Sequence, residues 1–362
     1  MSDLSRQAGE ATRSPLPLWF AMTAGTDTER RQATPSHALL VTGLALAALA
    51  CLAWSVATGY APFDLSAALG DVLAGRQTLP ALVLVELRLP RALLGLLVGF
   101  SLGLSGAAMQ GLLRNPLAEP GVIGVSATAA LGAVLVFYSG LAGSFALALP
   151  LGGIAGAALA TLLLFGLVRR GAGTMTLILA GVAIGSAAGA LTALALNLSP
   201  NPYAALEIVF WLMGSLADRS MVHVWLVLPP MLLGWGLILA GGRALDALTL
   251  GEDTAASLGF GLGRLRLQLI LGTALAVGSA VAVTGAIGFV GLVVPHLLRP
   301  LVGHRPGRLL LVSGLGGAVL ILLADIGLRL VRVQPELKLG VVTAIIGAPF
   351  LFSLIWRLRR SP

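Results

Sequence analysis

The chain has 362 residues, of which 57% are hydrophobic and 10% charged, with a formal net charge of +8. A soluble domain carries about 25% charged residues, so this composition excludes a soluble globular protein. The positive charge does not point to nucleic acid either, because the basic residues sit singly or in pairs between apolar runs, where they report membrane topology.

Met1 to Pro35 is polar and irregular. It lacks a short apolar stretch ending in a small-residue cleavage site, so a disordered cytoplasmic tail is expected there rather than a signal peptide. Residues 36–362 are expected to form one transmembrane domain. Apolar runs recur at the roughly 20-residue length that a hydrocarbon core demands. They do not alternate as barrel strands do. The fold class is therefore all-α: a polytopic bundle of about ten spans. Span one runs from Leu39 to Thr58 and holds the single cysteine, Cys51, which excludes an intrachain disulfide. A polar loop through Asp64, Asp71, Arg76 and Glu86 leads to span two, Arg91 to Gln110. The turn Arg114-Asn-Pro-Leu-Ala-Glu-Pro-Gly121 precedes span three, Val122 to Tyr138. Spans four and five are Leu147 to Val168 and Met175 to Leu196. The breaker cluster at 197–202 and an interfacial piece, Tyr203 to Leu216, follow. Span six is Val222 to Ala240, and the charged segment Arg243 to Arg266 separates it from span seven, Leu267 to Ala286. Span eight falls in Gly285 to Arg299, where Gly285, Gly288 and Gly291 recur three apart and Pro295 breaks the pattern. A tight turn and a descending helix are expected there, with Gly288, Gly291, Pro295 and His296 as turn residues. Spans nine and ten are Leu309 to Leu328 and Val341 to Trp356.

An even number of spans puts both termini on one side. With the termini inside, sixteen basic residues fall on the inner side. Seven fall outside: Arg76, Arg88, Arg91, Arg219, Arg329, Arg332 and Lys338, which together make the 23 Lys and Arg. That bias places both termini in the cytoplasm of a cell (inner) membrane protein.

The chain cannot bind ATP through a phosphate-binding loop, because its only lysine, Lys338, is followed by Leu339 and Gly340. Ion-coupled carriers and channels, the rival class, keep ionisable groups near the midplane. Here the spans are almost free of them; Asp325 and Arg329, four apart, can pair along one helix face. Transport driven by another subunit is the better reading. The four histidines are scattered, so no metal or haem-ligand cluster is expected, and no cofactor in this chain.

The stretch Gly285-Ala-Ile-Gly-Phe-Val-Gly-Leu-Val-Val-Pro-His-Leu-Leu-Arg299 resembles the signature of FecCD-type permeases, the membrane subunits of ABC importers for iron(III)-siderophores, haem and cobalamin. From Glu86 onward further landmarks occur in family order. They include Arg88-Leu-Pro-Arg91, Asn115-Pro-Leu-Ala-Glu-Pro120, Trp211-Leu-Met-Gly-Ser215, Ala256-Ser-Leu-Gly259 and Gly347-Ala-Pro-Phe350. The resemblance implies a P-loop ATPase partner, a periplasmic or lipid-anchored substrate-binding protein, and a second permease copy or paralogue. The partner ATPase would seat the central segment carrying Leu250, Gly251, Glu252, Ala255, Ala256, Leu258 and Gly259, with the two alanines and Leu258 on display. Arg88, Arg91 and Arg329 would meet acidic groups of the binding protein. Asn115, Leu117, Thr174 and Met175 would lie at the inner narrowing of the pathway, with Pro116 and Pro120 as turn residues beside it. One departure is Lys338, where the family has proline after Glu336-Leu337.

Overall fold

A computed structural model describes residues 36–59, 64–145, 147–199, 201–331 and 336–358, and all their regular structure is helical. The tail expected at Met1–Pro35 lies outside the described residues. The helices are α1 (His37–Ala57), α2 (Leu65–Leu73), α3 (Leu79–Leu112), α4 (Val125–Tyr138), α5 (Ala148–Arg169), α6 (Thr174–Asn197) and α7 (Pro202–Leu212). Then come α8 (Met221–Ala240), α9 (Gly242–Leu248), α10 (Glu252–Ser257), α11 (Leu262–Thr284), α12 (Val290–Leu298), α13 (Pro306–Val331) and α14 (Leu339–Leu358). Helices α1, α3, α5, α6, α8, α11 and α13, 20 to 34 residues each, are long and apolar enough to cross a membrane. The shorter apolar helices fall where spans three, eight and ten were expected.

Two segments differ from the sequence expectation. The polar stretch before Arg91 is not a loop. Asp64 caps α2, accepting hydrogen bonds from the Ser66 and Ala67 amides at 2.9 and 3.1 Å. Thr78 caps α3, which begins at Leu79, twelve residues before the expected start of span two, with Pro80 in its first turn. At 34 residues and ~1.5 Å per residue, α3 outreaches the bilayer core, so its first turns can carry Glu86 and Arg88. Residues Val83–Arg88 are wound as a π-helix, and this wide turn absorbs Pro90, which has no N–H to donate. The second difference is span eight. The chain is non-helical from Gly285 to Phe289, and α12 is only 9 residues long. Gly288 lies in this break, but Gly291, Pro295 and His296 stand inside α12, so they are not turn residues. Pro295 leaves the Gly291 carbonyl without its helical donor. Gln110 of α3 supplies one instead, with Nε2 at 3.4 Å from the Gly291 oxygen and 3.3 Å from that of Leu292.

The centre of the bundle is α3, packed antiparallel on α13 and also against α11. Lipid-like apolar contact gives little directional drive between helices in a membrane, so close approach falls to small residues. Gly99 and Gly103 of α3 lie against the backbone of Gly317 and Ser313 in α13, and Gly106 lies against Gly291 of α12. A Cβ at any of the three would overlap a backbone carbonyl oxygen. Helix α1 runs parallel to α13, joined at one end by His37 to the Arg308 carbonyl and at the other by Arg329 to Ser55. The outer helices keep large apolar side chains exposed, among them Leu46, Leu162, Leu179, Trp225 and Ile345, as lipid-facing surfaces do.

Candidate functional site

The expected docking segment is two short helices. Chain leaving α8 turns at once into α9, and Gly251, at φ +107°, opens α10. Glu252 and Asp253 sit in its first turn, where the helix dipole favours negative charge. Leu250 and Leu258 are exposed, as is Ala256. Ala255 is not on display, because the helix turns it inward and buries it completely. Gly259, at φ +88°, ends the helix in a conformation that side chains resist, and open space surrounds it.

One side chain ties this segment to the rest. Arg266, in the second turn of α11, grips Glu252 through Nη2, at 2.9 and 3.0 Å from the two carboxylate oxygens. Its Nε donates to the Thr174 hydroxyl at 3.2 Å. Thr174 is the first residue of α6. Glu252 and Thr174, expected at separate sites, thus share one guanidinium. Arg266 was legible in the sequence only as one more inner arginine.

The inner turn is built locally. The Asn115 side chain accepts from the Leu117 amide at 2.9 Å, and this fixes the bend around Pro116. Asn115 and Met175 are exposed, Leu117 is half-buried, and Pro120 begins a 3-10 turn over Pro120–Ile123. That turn packs backbone to backbone on α6: a Cβ at Gly124 would lie 2.6 Å from the Gly181 oxygen. The turn that begins at Pro120 therefore adjoins α6, the helix that Thr174 starts.

The three arginines expected to face a binding protein are turned inward. Arg88 donates to the Val56 and Ala57 carbonyls at 3.2 and 2.8 Å. Arg329 donates to the Ser55 and Thr58 carbonyls at 2.8 and 2.6 Å and to the Ser55 hydroxyl at 2.6 Å. Both close the C-terminal end of α1, where cations are favoured. Arg91 pairs with Asp325 at 2.7 Å and with Glu336, and Asp325 also pairs with Arg329 at 2.8 Å. The other basic residues expected outside are engaged as well. Arg76 pairs with Asp71 at 3.5 Å, Arg219 donates to the Val283 carbonyl at the end of α11, and Lys338 sits 5.8 Å from the Phe210 ring centre. Arg332 lies outside the described residues. Like charge on one face did not require an external acid, because the counter-charge is supplied by the chain itself.

Residues 44–357 match the FecCD transport family. The chain belongs to the FecCD transport family. It is 42% identical over 295 residues to the vitamin B12 import system permease protein BtuC of Salmonella typhi, an alignment covering 81% of this chain and 87% of that one. It is 42% identical over 278 residues to an uncharacterized ABC transporter permease protein, YvrB, of Bacillus subtilis, covering 75% and 78%. A solved structure described as an inward-facing conformation of a metal-chelate type ABC transporter superposes with a TM-score of 0.77 at 33% identity, covering 88% of this chain and 98% of that one. This FecCD protein is thus a permease subunit of an ABC importer, a multi-pass protein of the inner membrane and not itself an enzyme. Membership implies a separate ATPase subunit and a substrate-binding protein.

Proposed function

We propose that this permease carries a metal chelate into the cytoplasm, with an iron(III)-siderophore as cargo, and that it works as a pair of copies with the pathway between them. The α9–α10 segment docks on the P-loop ATPase. The observation that carries this reading is Arg266, which joins Glu252 of that segment to Thr174 at the head of α6. ATP-driven movement of the docked segment then reaches the inner narrowing without crossing solvent. The 42% identity to a vitamin B12 permease favours cobalamin as a second cargo. Vesicles holding the permease and its ATPase, given binding protein and labelled ferric siderophore, are expected to fill only with ATP. Filling without nucleotide overturns the reading; filling with cobalamin but not siderophore reassigns the cargo.

Gly259→Val is expected to impair coupling through the backbone alone. Nothing lies within 4 Å of a Cβ there, but φ +88° disfavours any β-branched residue and the last turn must rearrange. Cargo-stimulated ATP hydrolysis should be lost while the protein still inserts and purifies; stimulation equal to the parent removes Gly259 from the docking segment.

Docking of the binding protein falls to Arg91. Of the three arginines it has the most accessible side chain, 13% exposed against 3% for Arg329, and its partner Glu336 is 23% exposed. Arg88, Arg91 and Arg329 together outnumber Asp325 and Glu336 by one positive charge. Arg91→Gln leaves Asp325 paired with Arg329. It should weaken binding-protein capture about tenfold at low salt, a difference that shrinks as salt screens the rim. Unchanged capture at low salt would refute it.

A further inference from the structure

The carboxylate of Glu119 has no part in the site above, and its place in the fold is unusual. It belongs to the inner turn, one residue before Pro120, yet it reaches the break between α11 and α12. Its Oε1 accepts the backbone N–H of Phe289 at 2.7 Å. Phe289 caps the N-terminus of α12, where a carboxylate is favoured by the unpaired amides. Phe289 also stands at φ +68°, a region that bulky residues avoid, so the bend is held by its surroundings.

Phe289 in turn carries α14. A Cβ at Gly347 would lie 2.6 Å from Cδ1 of the Phe289 ring, so α14 presents a bare backbone to that side chain. At its start, the Gly340 amide donates to the Gly214 carbonyl at 3.4 Å, and a Cβ there would lie 2.6 Å from the Ala286 oxygen. A third contact sets Phe350 edge-on to His296 of α12, with ring centres 5.7 Å apart. All three contacts sit on the break, its neighbouring turn, or α12. The opposite face of α14 leaves Ile345, Phe352 and Trp356 exposed. Beside the break lies a cavity of about 210 Å³, bordered by Glu119, Ser126, Val277, Val281 and Gly288. The break therefore has room to shift on one side and a helix resting on it on the other.

We propose that Glu119 is a positioning residue for transport, the strut through which movement of the inner turn and α6 reaches α14. The inference rests on the coupling reading above and extends it. Thr174 starts α6, α6 lies on the Pro120–Ile123 turn, Glu119 leaves that turn to hold Phe289, and Phe289 bears on Gly347. The steps are backbone contacts, one hydrogen bond and the Phe289 ring against Gly347, so displacement passes through only two side chains, the Glu119 carboxylate and the Phe289 ring.

The test uses the permease assembled with its ATPase and binding protein. Spin labels at Ile345→Cys on α14 and, separately, Leu191→Cys on α6 are each paired with a label at Leu323→Cys on α13, and distances are measured with and without ATP. In the otherwise unchanged protein both pairs should shift with nucleotide. In Glu119→Ala the α14 shift should vanish while the α6 shift remains, and cargo carried per ATP should fall about tenfold, the scale of ordinary coupling between sites. Glu119→Gln, whose amide oxygen still accepts the Phe289 N–H, should restore both. Phe289→Gly relieves the backbone and keeps the N–H but removes the side chain facing Gly347, so it too should silence α14 in a protein that folds. An α14 shift that persists in Glu119→Ala, or in Phe289→Gly if the alanine variant does not fold, overturns the strut. Absence of any nucleotide-dependent shift in the unsubstituted complex instead overturns the coupling reading beneath it.

Discussion

Asp325→Ala is expected to destabilise the permease by about 3–5 kcal/mol, the range for removing one partner of a buried ion pair. Asp325 is 1% exposed and faces Arg91 at 2.7 Å and Arg329 at 2.8 Å, on helices α3 and α13. Its loss strands two cations. Arg91 retains Glu336 and can reach water, whereas Arg329, 4% exposed, retains among the described residues only the Ser55 and Thr58 carbonyls, a hydroxyl and its own helix. Asp325→Asn keeps the shape and a hydrogen-bond acceptor, so it should fall between the two. Denaturant or thermal unfolding in detergent measures the difference; an alanine variant within about 1 kcal/mol of the parent, the scale of an exposed pair, shows that the cluster does not hold these helices together.

Arg266→Ala should leave the fold standing and cut cargo transport per ATP about tenfold or more. The two effects separate because of exposure. Glu252 is 41% exposed, so the ion pair is screened and adds little stability. Its geometry is still specific: the planar fork meets both Glu252 oxygens and the Thr174 hydroxyl at once. Arg266→Lys keeps the charge but cannot span all three acceptors, so it should recover only part of the loss. Thr174→Val removes one acceptor and should do less harm than either. Transport per ATP in Arg266→Ala equal to the parent would show that the docking segment drives the pathway by some other contact.

Much of the architecture can be read from residue order, because a membrane demands long apolar runs and marks their ends with charge. The bounds of α5, α6 and α8 lie within one or two residues of the apolar runs that indicate them. Three features resist that reading. The start of α3 hides because Glu86, Arg88 and Pro90 look like loop, while the π-wound turn and the length of the helix accommodate them. The break at 285–289 hides because Gly285 to Val294 is unbroken apolar sequence, and its hydrogen bonds are completed by Gln110 and Glu119 from far along the chain. The outer arginines mislead because charge can be counted in a sequence but its neutralisation cannot; Arg91 meets Asp325 across 234 positions. The short helix expected in the central charged segment is present, from Glu252 to Ser257. That Ala255 turns inward and that Arg266 links Glu252 to Thr174 depend on a helix phase and a contact that spacing alone does not fix.

The closing of α1 by Arg329 also sets an order of events during synthesis. Ser55 and the arginine that satisfies it are 274 positions apart, so the first helix enters the bilayer long before the side chain that seals its far end has been made. Until then the Ser55 and Thr58 carbonyls must be met by water or headgroups, and α1 remains a loosely tethered anchor. A ribosome that stalls before α13 leaves that anchor unlatched at its far end.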